Sequence, residues 1–229
     1  MSKIIALIPA RGGSKGIRYK NIVALAGKPL LSYSIIAAQQ SEIFNAIYVS
    51  SDDAKILSVA NDYNASFVHR SPKLAQDHSP TNDLIEEFIT NLELADDDVI
   101  VLLQPTSPLR SAEHIKSAVT LFKQKPDCSA LISVCAADNK YLYAYLSADS
   151  YLTPVSPEHM KISRRQDLPE IYLPNGAIYI FTVGNFKREK SIPENRLAAY
   201  VMSVEDSIDI DAQKDLDQAE IYFTQRAVN

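Results

Sequence analysis

The chain has 229 residues, room for one domain or one domain with a small lobe. Its hydrophobic fraction of 46% supplies a core, and its formal net charge of −5 lacks the positive field of a general nucleic-acid binder. Cys128 and Cys135 match no zinc-ligand spacing, the N-terminus has no signal-peptide plan, and no apolar run is long enough to span a membrane, so a cytoplasmic, reduced protein without membrane or nucleic-acid partners is expected.

Ile4 to Ile8 is an apolar run that predicts a strand covered on both faces, and Pro9 should stop its ladder. A loop carrying Arg11, Gly12, Gly13, Ser14, Lys15, Gly16, Arg18, Lys20 and Asn21 follows. Pro29 suits the first position of a helix with Leu30, Leu31, Ser34, Ile35 and Ala38 at helical spacing. Ala46–Ser50 reads as a strand, Ser51-Asp52-Asp53 as a cap for a helix over Ala54–Tyr63, and Ser66–His69 as a short strand. This β-α-β-α-β order favours a parallel sheet with right-handed crossovers.

After a polar loop from Arg70, Thr81 is expected to cap a helix over Asn82–Leu94, and Asp96-Asp97-Asp98 to form a solvated turn. Val99–Leu103 reads as another buried strand, ending in the polar segment Gln104–Arg110. Ser111 should cap a helix reaching about Lys125, and Ser129–Ala136 should be the next strand. Residues near 138–170, rich in tyrosine and proline, fit no sheet-covering helix and read as an insertion. Tyr172–Thr182, broken at Pro174-Asn175-Gly176, and Ala198–Val204 resume strand structure; Ala212–Arg226 is a final amphipathic helix.

Two places carry chemistry. The glycines of the first loop let backbone N–H groups approach anionic oxygens, and Arg11 and Lys15 add charge, which suits a polyphosphate. A basic solvated turn fits the composition as well. The loop is neither a Walker loop nor a dinucleotide fingerprint, since Gly27-Lys28 is followed by Pro29 and G-x-G-x-x-G is absent. Asp209 and Asp211 point the same way if their segment is extended, and two carboxylates on one side suit a Mg²⁺ that bridges substrate phosphates. Asp211 has the alternative of capping the last helix. Arg70, Arg110 and Arg164 have the alternative of surface charge.

The string I-P-A-R-G-G-S-K-G-I…K-N resembles the signature of the acylneuraminate cytidylyltransferases (CMP-sialic acid synthetases). L-L-Q-P-T-S-P-L-R at 102–110, R-Q-D-L-P…P-N-G-A-I-Y-I at 165–180 and S-I-D-I-D before D-L-x-Q-A-E resemble further motifs of that family, so the likeness runs from residue 4 to residue 220. It implies a Rossmann-like three-layer α/β/α nucleotidyltransferase, with a mixed, mostly parallel sheet and a dimerisation insertion at about 138–170. Arg11, Gly12, Ser14, Lys15, Lys20 and Asn21 would hold CTP, with Lys20 at the phosphate under attack. Arg70, Ser79 and Thr81 would surround the cytosine and ribose. Gln104 and Tyr179 would line the sugar pocket, with Arg165 offered by the partner subunit of a homodimer. Asp209 and Asp211 would hold Mg²⁺. Arg11, Lys20, Gln104 and Asp211 would form the catalytic set.

The implied reaction is in-line attack of a 2-keto sugar acid's anomeric hydroxyl on the α-phosphorus of CTP, releasing diphosphate. One departure bears on the sugar. Where bacterial sialic acid enzymes of this type carry adjacent aromatics for the N-acyl group, this chain has Lys190-Ser191-Ile192-Pro193-Glu194, with Phe186 a few residues earlier. Legionaminic and pseudaminic acids therefore stand beside N-acetylneuraminate as substrates, and a non-catalytic nucleotide-binding module stands as the alternative of another class.

Overall fold

The computed structural model describes residues 2–14, 16–76, 79–161 and 164–228. Its strands are β1 (Ile4–Pro9), β2 (Ala24–Leu25), β3 (Lys28–Pro29), β4 (Ala46–Ser51), β5 (Ser66–His69), β6 (Val99–Leu102), β7 (Ala130–Ala137), β8 (Tyr145–Ala148), β9 (Tyr151–Pro154), β10 (Ile171–Thr182) and β11 (Leu197–Met202). Its helices are α1 (Leu30–Ser41), α2 (Ala54–Asp62), α3 (Thr81–Asn91), α4 (Ala112–Gln124), α5 (Val183–Glu189) and α6 (Gln213–Val228). Among the described residues, one sheet runs β11-β7-β10-β6-β1-β4-β5, and β10 alone opposes the other strands' direction. The mixed, mostly parallel sheet is therefore present as expected.

The apolar run of β1 is buried because both faces of the sheet are covered. Ala6 and Ile8 pack with Leu31 and Ile35 of α1, Ile56 of α2 and Ile115 of α4. Ile5 and Leu7 point the other way, toward Ile85 and Phe88 of α3 and Phe186 of α5. This alternation makes three layers from a single strand's sequence. A third cluster joins Leu25, Leu30, Leu216 and Ala219 around Ile210, which seats α6 and the segment before it against α1 and the β2–β3 hairpin. Among the described residues, 138–170 contribute no strand to the main sheet; β8 and β9 form a separate hairpin there.

The caps decide several boundaries. The Asp53 carboxylate accepts from the N–H groups of Lys55 (2.8 Å) and Ile56 (3.3 Å), starting α2. Ser111 and His114 exchange bonds in a capping box at the start of α4. Thr81 is not a cap: it is the first residue of α3, and Pro80 occupies the cap position without a side-chain bond. Pro29 likewise precedes α1 instead of opening it. The Asp96–Asp98 turn is only partly solvated. Asp98 is buried and accepts from the N–H groups of Lys3 (2.8 Å) and Ala95 (3.0 Å).

Because β1, β4 and β6 are parallel, the loops after Pro9, Ser51 and Leu102 emerge at the same end of the sheet. That is where an open α/β sheet binds its ligand.

Candidate active site

A cleft of about 450 Å³ opens at this end. The glycine-rich loop lines one wall with Arg11, Ser14, Lys20 and Asn21. Arg70, Ser79 and Thr81 line another, and Gln104 and Thr106 form the floor beside Asp211. Nine of the residues singled out in sequence thus meet around one cavity, drawn from four separate stretches of chain.

The loop is held from within and from across the fold. Asn21, nearly buried, donates its amide to the Arg11 carbonyl at 2.9 Å, which fixes the loop's two ends to each other. Lys20 Nζ donates to Asp211 Oδ1 at 2.8 Å. Gly16 lies so close to the Asp211 carbonyl that a Cβ there would collide with it. Gly12 faces elsewhere: its N–H donates to Asp52 Oδ1 at 3.0 Å, beside a shallow depression with Arg18, Tyr19 and Asp53. Lys15 lies outside the described residues.

Arg70 is buried, and its guanidinium donates to the Leu74 carbonyl. Burial pulls its pKa down, Asp52 opposes that, and Arg11 reinforces it, which sets two guanidinium groups in one another's field at the cleft. Ser79 donates to the Lys73 carbonyl at 2.8 Å, holding the loop before α3. These environments replace the surface-charge alternative for Arg70.

The Ser207–Asp211 segment is irregular and not a strand, so the extended geometry expected for Asp209 and Asp211 is absent; the two carboxylates flank the buried Ile210, and only Asp211 lines the cleft. Ile210 donates its N–H to the Thr106 carbonyl at 2.9 Å. Crowding by protein atoms raises the Asp209 pKa although part of the side chain reaches solvent; a hydrogen bond from Thr106 lowers it, and nearby Asp211 raises it. In the first turn of α6 the Asp215 carboxylate reaches back to accept from the N–H groups of Asp211 (3.1 Å) and Ala212 (2.8 Å), while the Asp211 carboxylate accepts from Lys20. Asp209 and Tyr179 lie outside the cleft lining but in each other's field: the Tyr179 phenol is raised by burial and then by Asp209. Arg165 opens a single 3-10 turn, Arg165–Asp167, in the insertion, and its side chain lies outside the described atoms.

Sequence reasoning missed the scaffold under the floor. Arg110 is buried and donates to the carbonyls of Gln104 (3.0 Å) and Ala177 (2.9 Å). Asn175 accepts from Ser133 Oγ (2.6 Å) and donates to Ser207 Oγ (2.8 Å), tying the β10 bulge to the segment that carries Asp209. The break at Pro174-Asn175-Gly176 was the available signal for this junction.

The sheet order, the three layers and the site at the strand ends define a Rossmann-like nucleotidyltransferase fold. Among solved structures, CMP:2-keto-3-deoxy-manno-octonic acid synthetase complexed with CTP is similar, with a TM-score of 0.76 at 15% identity over 98% of this chain and 100% of that one. Residues 5–228 match the family model described as cytidylyltransferase, and the chain belongs to that family. It is 37% identical over 216 residues to the N-acylneuraminate cytidylyltransferase of Streptococcus agalactiae serotype V, covering 93% of this chain and 51% of the relative. The corresponding protein of Escherichia coli O18:K1:H7 is 36% identical over 95% of this chain and 51% of the relative. The chain thus spans about half the length of these two relatives. The CMP-N,N'-diacetyllegionaminic acid synthase of Legionella pneumophila is 35% identical, with 93% of each chain covered.

Proposed function

We propose that this chain is a cytidylyltransferase that joins CTP and a nonulosonic acid, in the simplest case N-acetylneuraminate, to give the CMP-sugar and diphosphate. The observation that carries the reading is the convergence of Arg11, Lys20 and Arg70 on one cleft that Asp211 also lines. Three cations around a cavity on a chain of net charge −5 fit a polyanionic nucleotide. Lys20 neutralises charge at the phosphate under attack, and its bond to Asp211 aims the ammonium into the cleft. Arg11 holds the phosphates from the same wall, on the glycine-rich loop. Arg70, Ser79 and Thr81 flank the base and ribose, and Gln104 receives the sugar acid on the floor.

Mg²⁺ fits the donor set. Asp209 and Asp211 are two hard oxygen donors within each other's field, and they would hold the ion. Mg²⁺ bound by this pair would supply Lewis acidity toward the phosphate and would favour ionisation of the attacking hydroxyl.

The lack of an N-acyl aromatic pair supports a second reading for the sugar. Phe186 is buried against Phe181 at 5.6 Å between ring centroids, and Ile192 packs into the same cluster. Neither offers an aromatic face to a ligand, so a legionaminic acid is the second candidate, in line with the similarity to a relative of matching length. The active unit is a homodimer in which the insertion carries Arg165 to the other protomer's cleft. The exposed Tyr145, Leu146, Tyr151 and Leu152 of the β8–β9 hairpin support that contact.

The test is diphosphate release from CTP and Mg²⁺ across N-acetylneuraminic, legionaminic and pseudaminic acids, with 2-keto-3-deoxy-octonic acid as an outlier. Release with a nonulosonic acid and its loss in Asp209→Ala are expected. Silence across the panel from folded protein that binds CTP would overturn the catalytic reading.

A further inference from the structure

Arg110 carries a charge that the fold does not balance. The residue is 2% exposed, yet among the described residues no carboxylate offsets its burial, which lowers its pKa to about 9. Its Nη1 donates to the carbonyls of Gln104 (3.0 Å) and Ala177 (2.9 Å), its Nη2 to the Ser34 hydroxyl, and its Nε has no partner. Ser34 in turn donates to the Gln104 carbonyl at 3.3 Å. A buried guanidinium bound only to neutral acceptors is costly, and an apolar side chain of similar volume commonly serves stability as well or better. Stability therefore gives no reason for an arginine here.

The geometry gives another. The three acceptors belong to three elements: the end of β6, the β10 bulge and α1. A planar fork can hold them in one fixed relation; a point-like ammonium cannot. What lies between them is Gln104. Its backbone is clasped by Arg110 and Ser34, and its side-chain oxygen rests over Gly176, where a Cβ would come within 3.3 Å of it. Gly176 adopts φ +76°, a conformation that keeps this floor free of a side chain.

We infer that Arg110 is a positioning residue: it fixes the Gln104 main chain between α1 and the β10 bulge so that the Gln104 amide is presented to the sugar acid. This rests on the proposed function for the role of Gln104 as a ligand contact. Arg110 does not line the cleft and touches no substrate itself. Its influence should fall on one substrate only, because the CTP contacts come from loops it does not bond.

The experiment compares wild type, Arg110→Lys, Arg110→Met, Gln104→Ala and the Arg110→Lys/Gln104→Ala double variant, each checked for folding by circular dichroism. Arg110→Lys keeps the cation and loses the fork. It should raise KM for the sugar acid about tenfold while the Kd for CTP stays within about twofold. The double variant should be no worse than Gln104→Ala alone, since both changes act through one side chain. A folded Arg110→Lys with wild-type KM would overturn the inference. So would losses that multiply in the double variant, or CTP affinity that falls in step. The side-chain amide resonance of Gln104, assigned by its absence in Gln104→Ala, supplies a readout without turnover. It should move in Arg110→Lys and Arg110→Met. If wild type turns over no nonulosonic acid but this resonance moves, the proposed function fails and the positioning stands; an unmoved resonance sinks the positioning.

Discussion

Gly16 is the residue at which the two halves of the site touch. A Cβ there would collide with the Asp211 carbonyl, and that atom is backbone, so it cannot swing aside. Gly16→Ala should displace the loop from Asp211 and misalign Lys20, whose ammonium meets the Asp211 carboxylate at 2.8 Å. Displacements of this kind near reacting groups cost about a hundredfold in rate. We expect such a fall in kcat with little change in thermal midpoint, measured side by side; full activity would mean the loop yields freely. Arg110 makes a prediction of a different kind. From about 9 up to the ordinary guanidinium range the folded protein binds fewer protons at this group than the unfolded chain does. Stability from this group therefore rises with pH across that window, by up to about 1.4 kcal/mol per pH unit, and below it the cost of the buried charge is present in full. Urea unfolding of wild type and Arg110→Met should give a stability difference that is flat between pH 7 and 8.5 and shifts in favour of wild type toward pH 10. A flat difference throughout would show that the guanidinium is not electrostatically isolated.

β10 is the element that joins the core to the site. At its bulge Ser133 of β7 accepts from the Ile178 N–H at 2.7 Å and donates to Asn175, and Asn175 reaches Ser207. Ser133→Ala takes the hydroxyl acceptor from the buried Ile178 N–H, while the Asn175 amide oxygen keeps the Ala177 N–H, a loss of about 1–3 kcal/mol. Its urea midpoint should fall with an unchanged slope, and turnover should fall with it because the Asp209 segment loses its anchor; an unchanged midpoint would mean that water replaces the hydroxyl. The same junction shows what sequence could and could not reveal. The runs Ile4–Ile8 and Val99–Leu103 announced buried strands because both faces are covered, a condition that composition records directly. The loop residues Arg11, Lys20 and Asn21 were legible as glycines interleaved with charge, and Asp209 as a carboxylate interrupting Ile208 and Ile210. The pairing of Lys20 with Asp211 spans 191 positions, and that of Lys3 with Asp98 spans 95. No local window contains such partners, which is why Asp98 read as solvated and why surface charge stood open as an alternative for Arg110. Thr81 was misread for a local reason: Pro80, with its fixed φ, takes the cap position and moves the threonine into the first turn.

For the whole molecule, the decisive question is whether one chain suffices. Between β7 and β10, the described residues of 138–170 add no strand to the main sheet. Their β8–β9 hairpin exposes Tyr145 at 49%, Leu146 at 65%, Tyr151 at 79% and Leu152 at 65%. An isolated two-stranded hairpin is marginal in water, and this one, with Tyr145 and Leu152 on one face and Leu146 and Tyr151 on the other, gains by being covered. A second copy of the chain covering that hairpin would bring Arg165 into a cleft that its own chain does not build. The prediction follows from symmetry. Co-express Lys20→Ala and Arg165→Ala chains under different tags and purify the mixture. Half of the dimers pair unlike chains, and each of these has one site with both defects and one with neither. The mixture should therefore show about a quarter of wild-type activity, and the purified mixed dimer about half. If Arg165 serves its own chain's cleft, every site in the mixture keeps one defect and the activity stays at the level of the two variants alone. Sedimentation of the wild type supplies the companion measurement, because a chain that remains monomeric at assay concentration yet turns over at full rate would leave no role for a borrowed arginine.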